Sequence, residues 1–246
     1  MTVRSIILSL ITVAATVTGA SADAPAMSNV DASASAAVDA LSPLVPNKSH
    51  PNALHQAFRA YYEYKAQNPE RVKKPLLYFV DYGLDNRTPR GYVFDMQELK
   101  LVEGPFIVAH GRGSSSGKDG VPFRFSNTPG SAATSLGLYV TQETYDFTGH
   151  SGGRIYSSVG LRMTGVSGRF NSTARDRGVV IHGAPYVTAS GSGRSEGCPA
   201  MEQGRANRLI PRLANGALVF LFSPNDTSWM RQDPWAAASV ADDTGI

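Results

Sequence analysis

The sequence predicts a mainly β fold: a single sandwich-like or barrel-like domain with a few short helices. Short runs rich in Val, Ile, Tyr and Phe recur from residue 76 to residue 222, with turn residues between them. Glycine and proline are plentiful, at 24 and 15 residues, and only 17% of the residues are charged. This composition is typical of a turn-rich β protein rather than a helical bundle.

Residues 1–22 have the pattern of a secretory signal peptide. Arg4 precedes an apolar run at residues 6–17, and that run is shorter than the about 20 residues that span a bilayer. Small residues at 20–22 offer a cleavage site. We therefore expect an exported protein, periplasmic or secreted, that is cleaved near Ala22 and does not insert into the membrane afterwards.

Three further segments flank or form the domain. Residues 23–50 contain much Ala and Ser but few large apolar side chains, so we expect a disordered linker. Apolar residues at helical spacing predict an N-terminal helix within residues 51–75 that packs on the domain. The β-rich domain is expected to occupy residues 76–225, and residues 226–246 to form a C-terminal tail.

The predicted strands are runs of β-branched and aromatic residues. They cover residues 76–81, 91–96, 99–109, 136–141, 160–164, 179–181 and 217–222. A short helix is predicted over residues 207–213, interrupted by Pro211. The net charge of +3, without any cluster of lysine or arginine, gives no reason to expect a nucleic-acid partner and suits an anionic polymer such as a cell wall.

Cys198 is the only cysteine of the chain. Exported proteins that use cysteine for stability carry an even number, so this thiol is a buried inert residue, an intermolecular link or a reactive group. Its neighbours are Ser, Glu, Gly and Pro, which is the composition of a loop and not of a core. That composition favours a reactive thiol over a buried cysteine that acts as a small hydrophobic residue.

His182 is the predicted partner of this thiol. It ends the predicted strand at 179–181, and a Gly/Ser-rich connection at residues 190–193 allows Cys198 to fold back towards it. A thiol attacks carbonyl groups as thiolate, and a nearby imidazole can take its proton. The successive amides of Glu196, Gly197 and Cys198 are candidates for an oxyanion hole.

Two other chemistries are less well supported. A zinc site needs three or four ligands, whereas this chain has one cysteine and five scattered histidines, so we expect no metal. Ser195 as a nucleophile would lack the Gly-x-Ser-x-Gly pattern of a nucleophile elbow.

Residues 180–187 and 193–200 resemble the catalytic motif of the murein L,D-transpeptidase catalytic domain family, which is YkuD-like. The similarity is greatest to the branch with a Ser-x-Gly-Cys-Pro-Ala motif. Residues 108–111, 125–131 and 135–141 resemble other signature segments of that branch.

The resemblance implies a role for each matching residue. Cys198 would be the nucleophile, and His182 the general base, oriented by the carbonyl of Gly183. The substrate-binding residues implied are Tyr186, Arg194, Ser195, His110, Ser126 and Asn127. The resemblance also implies peptidoglycan stem peptides as substrate and no cofactor, and we expect a monomer.

Two positions depart from the wider family. Glu196 stands where a second histidine is common, and Pro199-Ala200 where an Arg or Asn is common. An inward-pointing Glu196 would oppose ionisation of the thiol. We expect an exported cysteine acyltransferase that cross-links stem peptides through a thioester. An L,D-carboxypeptidase that uses water as acceptor and a non-catalytic cell-wall binding module remain open.

Overall fold

The computed structural model describes residues 29–115 and 120–237. The predicted signal peptide and its cleavage site lie outside the described residues, as does the end of the predicted tail. The described helices are α1 Asn29–Leu41, α2 Ala53–Gln67, α3 Gln203–Leu213 and α4 Thr227–Gln232. The described strands are β1 Leu76–Asp81, β2 Gly91–Asp95, β3 Lys100–Phe106, β4 Gly137–Ser151, β5 Arg154–Gly165, β6 Val180–Gly183, β7 Val187–Thr188, β8 Gly191–Ser192, β9 Ala200–Met201 and β10 Leu218–Phe222.

One mixed sheet of eight strands organises the molecule, in the order β3-β2-β1-β10-β4-β5-β6-β9. β1 pairs with β10 and β6 with β9 in parallel, and the remaining neighbours are antiparallel. The strands β7 and β8 lie between β6 and β9 in the chain and form a separate two-stranded sheet. The predicted mainly β fold is therefore confirmed.

The centre of the sheet is its most apolar part. Every residue of β1 and of β10 is buried, as expected for the continuous apolar sequence of strands covered on both faces. α2 packs on these two strands, and α3 packs on β4, β5 and β6. Among the described residues, no helix is long and apolar enough to cross a membrane.

The predicted disordered linker is wrong from Asn29 onwards, because α1 is a packed helix. Ala34, Ala37 and Leu41 are fully buried, and α1 contacts α2. Alanine has the highest intrinsic helix propensity, and its small side chain lets two helices approach closely. Arg59 of α2 adds an ion pair to Asp31 at 2.9 Å. A shortage of large apolar side chains was therefore a poor guide to disorder here.

The predicted C-terminal tail is also more ordered than expected. Trp229 of α4 is fully buried and its ring lies 5.7 Å from those of Phe220 and Phe222. The Asp226 side chain caps α4 by accepting from the Trp229 amide at 3.0 Å. This buried tryptophan anchors the short helix on the sheet.

The β4–β5 hairpin is longer than the two predicted strands. Its paired region extends from Tyr139↔Gly165 to Ser151↔Arg154, closed by Gly152 and Gly153 with φ of +56° and +76°. Adjacent glycines with positive φ form the two-residue turn that suits hairpin twist. The outer half of the hairpin is polar on one face, so its sequence contains no continuous apolar run that would predict a strand.

Candidate active site

Two neighbouring strands position Cys198 and His182. His182 of β6 is paired in parallel with Ala200 of β9, and Cys198 comes two residues before Ala200. The thiol lies at the beginning of β6, where its sulfur accepts from the Val180 amide at 3.4 Å and donates to the Gly178 carbonyl at 3.8 Å. The two predicted catalytic residues are thus brought to the same end of β6 and β9, although they are 16 positions apart in the chain.

The His182 ring is held in one tautomer. Its Nδ1 lies 3.0 Å from the Gly183 carbonyl oxygen. That oxygen only accepts, so Nδ1 carries the hydrogen and Nε2 of the neutral ring is an acceptor. The ring is 2% exposed and stacks on Phe147, with centroids 4.2 Å apart. Burial lowers the pKa of His182 to about 4, against an upward effect of the Gly183 bond.

The thiol is also held in its neutral form. Burial of the sulfur raises the pKa of Cys198 to about 11, although the Val180 amide and the Arg177 guanidinium act to lower it. In the described part of the chain no hydrogen bond joins the thiol to the His182 ring. The resting pair at neutral pH is therefore a thiol and a neutral imidazole.

The side chain of Glu196 is paired with Arg112. Its two carboxylate oxygens accept from Nε of Arg112 at 2.7 and 2.9 Å, and both side chains are largely exposed. Among the causes that raise the pKa of Cys198, the charge of Glu196 is smaller than burial. The ionisation of the Cys198 thiol is therefore opposed mainly by burial and not by the Glu196 carboxylate.

Ser195 shapes the turn that leads to Cys198. Its hydroxyl donates to the Cys198 carbonyl at 2.6 Å and accepts from the Gly197 amide at 3.1 Å. Gly197 has φ of +124°, and a Cβ there would meet the Ala133 carbonyl oxygen at 3.0 Å, so the turn requires glycine. The Gly197 amide, one of the three predicted to form an oxyanion hole, is thus already bonded to Ser195. The amides of Glu196 and Cys198 are the remaining candidates for that role.

His110 lies beneath this turn and has a supporting place in the structure. It is fully buried, with Nδ1 2.9 Å from Nη2 of Arg90 and Nε2 2.9 Å from Oγ of Ser115. Arg90 only donates, so Nε2 carries the hydrogen. Burial lowers the pKa of His110 to about 3. Its carbonyl accepts from the Ser195 amide at 2.9 Å, which ties the turn to the core.

The Ser126 carbonyl accepts from Arg177, whereas the Asn127 side chain is bound by other loop residues. Asn127 donates to the Arg169 carbonyl at 3.1 Å and accepts from the Thr173 amide at 3.2 Å. Both residues line a cavity of about 360 Å³ together with Phe170. The Asn127 side chain therefore joins its own loop to the segment that contains Arg169 and Thr173, and it does not bond to the thiol.

Tyr186 lies against the β4–β5 hairpin, and Arg194 lies against the segment that contains Ser115. The Tyr186 ring meets that of Tyr156 edge-on at 6.4 Å, and the two line a cavity of about 320 Å³ with Ile155. Burial raises the pKa of Tyr186. Arg194 donates to the Ser115 carbonyl at 3.3 Å.

Two side chains at the site escaped the sequence analysis. Phe147 stacks on His182, and Arg177 lies beside the turn that contains Gly197. The alternation of Tyr145 and Phe147 with polar residues could have predicted the strand that carries Phe147. Arg177 had no such signal, because a single arginine before a strand is common. Among the described residues, no three His, Cys, Asp or Glu side chains are grouped to hold a metal ion.

The family model of the L,D-transpeptidase catalytic domain matches residues 46–222, well over half of the chain. The chain belongs to this family, which confirms the resemblance of its motifs. No curated protein matches the chain.

Several solved structures are similar to part of the chain. An L,D-transpeptidase from Mycobacterium smegmatis is 14% identical, with a TM-score of 0.38 over 60% of this chain and 58% of that chain. One from Stackebrandtia nassauensis is 17% identical, with a TM-score of 0.38 over 69% and 66%. One from Xylanimonas cellulosilytica is 16% identical, with a TM-score of 0.36 over 62% of each. The chain thus spans less than two thirds of the first of these proteins.

Proposed function

We propose that this protein is an exported cysteine acyltransferase that acts on peptidoglycan stem peptides, with Cys198 as nucleophile and His182 as general base. One observation supports the proposal: parallel pairing of β6 with β9 sets His182 opposite Ala200, while the Cys198 sulfur accepts from the amide of Val180, two residues before His182 in β6. The Gly183 carbonyl leaves Nε2 of the imidazole ready to accept a proton. Family membership supports the reaction class.

The acylation step follows from these groups. His182 Nε2 takes the thiol proton as the sulfur attacks the carbonyl carbon of the L,D peptide bond in a tetrapeptide stem. The amides of Glu196 and Cys198 stabilise the oxyanion. The carbon–nitrogen bond then breaks, and His182 returns the proton to the leaving amine of the terminal D-residue. The product is a thioester on Cys198.

The transfer step regenerates the thiol. An amine of a neighbouring stem attacks the thioester carbonyl carbon, and the carbon–sulfur bond breaks. The amine proton passes through His182 to the sulfur, which leaves a cross-link and a neutral thiol. Water in place of the amine would make the same residues an L,D-carboxypeptidase.

Two features support export and a cell-wall substrate. The first 22 residues have the pattern of a signal peptide, so the mature protein would act in the periplasm or outside the cell. The chain is weakly basic, with a net charge of +3, which suits an anionic polymer. We further propose that the mature protein acts as a monomer without a cofactor.

Incubation of purified protein with disaccharide-tetrapeptides, followed by mass spectrometry, tests this function. The wild type should form new cross-links, whereas Cys198→Ala should form none and His182→Ala should be at least about 100-fold slower. His150→Ala is the matched control, because this histidine is exposed on the β4–β5 hairpin. Shortened stems without cross-links would identify a carboxypeptidase. Unchanged activity of Cys198→Ala would exclude thiol catalysis.

A further inference from the structure

Arg177 is fixed beside the turn that presents Cys198. Its Nη1 donates to the Ser126 carbonyl at 2.8 Å, and its Nη2 donates to the Ala133 carbonyl at 2.8 Å and to Ser131 Oγ at 3.3 Å. All three acceptors are neutral. The guanidinium group is therefore held in place by acceptors that do not compensate its charge.

The guanidinium group also lies close to the nucleophile. A Cβ on Gly197, the residue before Cys198, would lie 3.7 Å from Nη2 of Arg177. Gly178, the residue after Arg177, accepts from the Cys198 sulfur. The arginine therefore lies against the turn that leads to the thiol.

The charge of Arg177 has no anionic partner within residues 29–115 and 120–237. The nearby Arg112 and Arg175, in contrast, pair with Glu196 and Glu143. A guanidinium group has five N–H donors, so the three bonds leave Nε–H and one Nη1–H of Arg177 without an acceptor in that part of the chain. These two N–H groups lie on different edges of the guanidinium group, so an anion can bind either one through a single charge-assisted hydrogen bond.

A cavity provides the space for such an anion. It has a volume of about 220 Å³ and is lined by Pro129, Gly130, Ala132, Arg177 and Glu196. Arg112 holds both carboxylate oxygens of Glu196, which keeps that carboxylate from satisfying Arg177. The cavity is small, and it suits the end of a peptide better than a long segment.

We propose that Arg177 forms a carboxylate subsite beside Cys198, which binds the terminal carboxylate of the donor peptide. This inference rests on the proposed function for the identity of the peptide. In a tetrapeptide donor, the attacked carbonyl and the terminal carboxylate belong to adjacent residues. A cation next to the nucleophile is therefore at the right end of the substrate, and it would place the scissile carbonyl over the sulfur.

Two alkylating reagents of almost equal size test the subsite without any transfer reaction. Iodoacetate carries a carboxylate and iodoacetamide does not, and both react with the thiolate of Cys198. We expect Arg177→Gln to lower the ratio of the iodoacetate rate to the iodoacetamide rate by about threefold to tenfold, the effect of one nearby charge in partly solvated surroundings. The ratio in the wild type should fall as salt is added.

Control variants separate the subsite from other roles of Arg177. Arg175→Gln removes the same charge two positions earlier, where the side chain pairs with Glu143 at 3.1 Å, and should leave the ratio unchanged. Arg177→Lys keeps the charge and should restore most of the ratio. Equal loss of rate with both reagents in Arg177→Gln would mean that the arginine only stabilises the thiolate or the fold, and would overturn the subsite.

A pair of substrates connects the subsite to the peptide. A donor tetrapeptide with a free terminal carboxylate should have a lower KM than its amide with the wild type, and this preference should disappear with Arg177→Gln. An unchanged preference would overturn the proposal. Failure of the proposed function would give a different result. Cys198→Ala would then still process stem peptides, while Arg177→Gln would still lower the ratio of the iodoacetate rate to the iodoacetamide rate.

Discussion

Cys198 and His182 lie in surroundings that oppose their charged forms. Burial raises the pKa of the thiol to about 11 and lowers that of the imidazole to about 4. A preformed thiolate–imidazolium pair would need the reverse order. The free protein therefore holds a neutral thiol and a neutral imidazole. In the reaction proposed above, His182 takes the thiol proton only as the sulfur attacks the substrate.

The pH dependence of Cys198 alkylation tests this neutral pair. With iodoacetamide, the logarithm of the rate should rise with a slope close to one from pH 7 to pH 10, because the thiolate fraction grows tenfold per pH unit below a pKa of about 11. His182→Ala should show the same profile, since the imidazole is neutral throughout this range. A plateau between pH 5 and pH 8 would instead reveal a thiolate–imidazolium pair.

The identities of these two residues could be predicted from sequence, but their ionisation could not. A lone cysteine in loop composition and a histidine at the end of a strand are local patterns. Their pKa values depend on burial by Phe147 and on the Val180 amide. Glu196 shows the same limit, because only the three-dimensional structure directs it towards Arg112.

At the scale of elements, α1 is the clearest addition to the sequence analysis. Its buried face consists of Ala34, Ala37 and Leu41, which pack on α2. Composition indicated disorder because these side chains are small. Close packing between helices needs small residues at the contact, and a composition rule cannot distinguish that use of alanine from a linker.

Paired substitutions in α1 test its packing. Ala37→Leu should lower the free energy of unfolding by about 1–3 kcal/mol, because Ala37 is fully buried and a larger side chain overpacks the contact. Ala36→Leu, one position earlier on the exposed side, should change it by less than about 0.5 kcal/mol. Urea unfolding measures both. Equal values for the two variants would mean that α1 is not packed on α2.

The strand predictions succeeded where strands are apolar on both faces and stopped short where one face is polar. β1 was predicted with its observed bounds, and β10 within one residue. The β4–β5 hairpin was predicted only at its apolar base. Its outer half supplies Phe147, which stacks on His182, so the missed residues include one that shapes the candidate site.

At the scale of the whole molecule, two buried neutral histidines couple stability to pH. The pKa values of His110 and His182 are about 3 and about 4 in the folded protein, below the ordinary value near 6.5. Between the folded pKa of each histidine and the ordinary value near 6.5, the unfolded chain therefore binds more protons than the folded protein. As a result, stability is fully present above about pH 6.5 and is lost as the pH falls towards 4.

Urea unfolding at pH 7, 6 and 5 should show this loss. Each histidine contributes up to about 1.4 kcal/mol per pH unit within its window. His110→Gln should reduce the slope, because glutamine can still accept from Arg90 and donate to Ser115 but does not titrate. His150→Gln, on the exposed hairpin, is the control. An equal slope for wild type and His110→Gln would contradict the burial of a neutral His110.

The sequence by itself determined the mainly β class and the family, and it predicted Cys198 and His182 as the pair that would carry the proposed chemistry. These properties are written in local patterns: apolar runs between turns, and motifs whose residues are close along the chain. The tertiary structure alone decided what surrounds the thiol. It paired Glu196 with Arg112, bonded the Gly197 amide to the Ser195 hydroxyl, and placed Arg177 beside the turn that leads to Cys198. Such contacts join residues that are distant in the chain, and they follow from packing and burial, which local patterns do not contain.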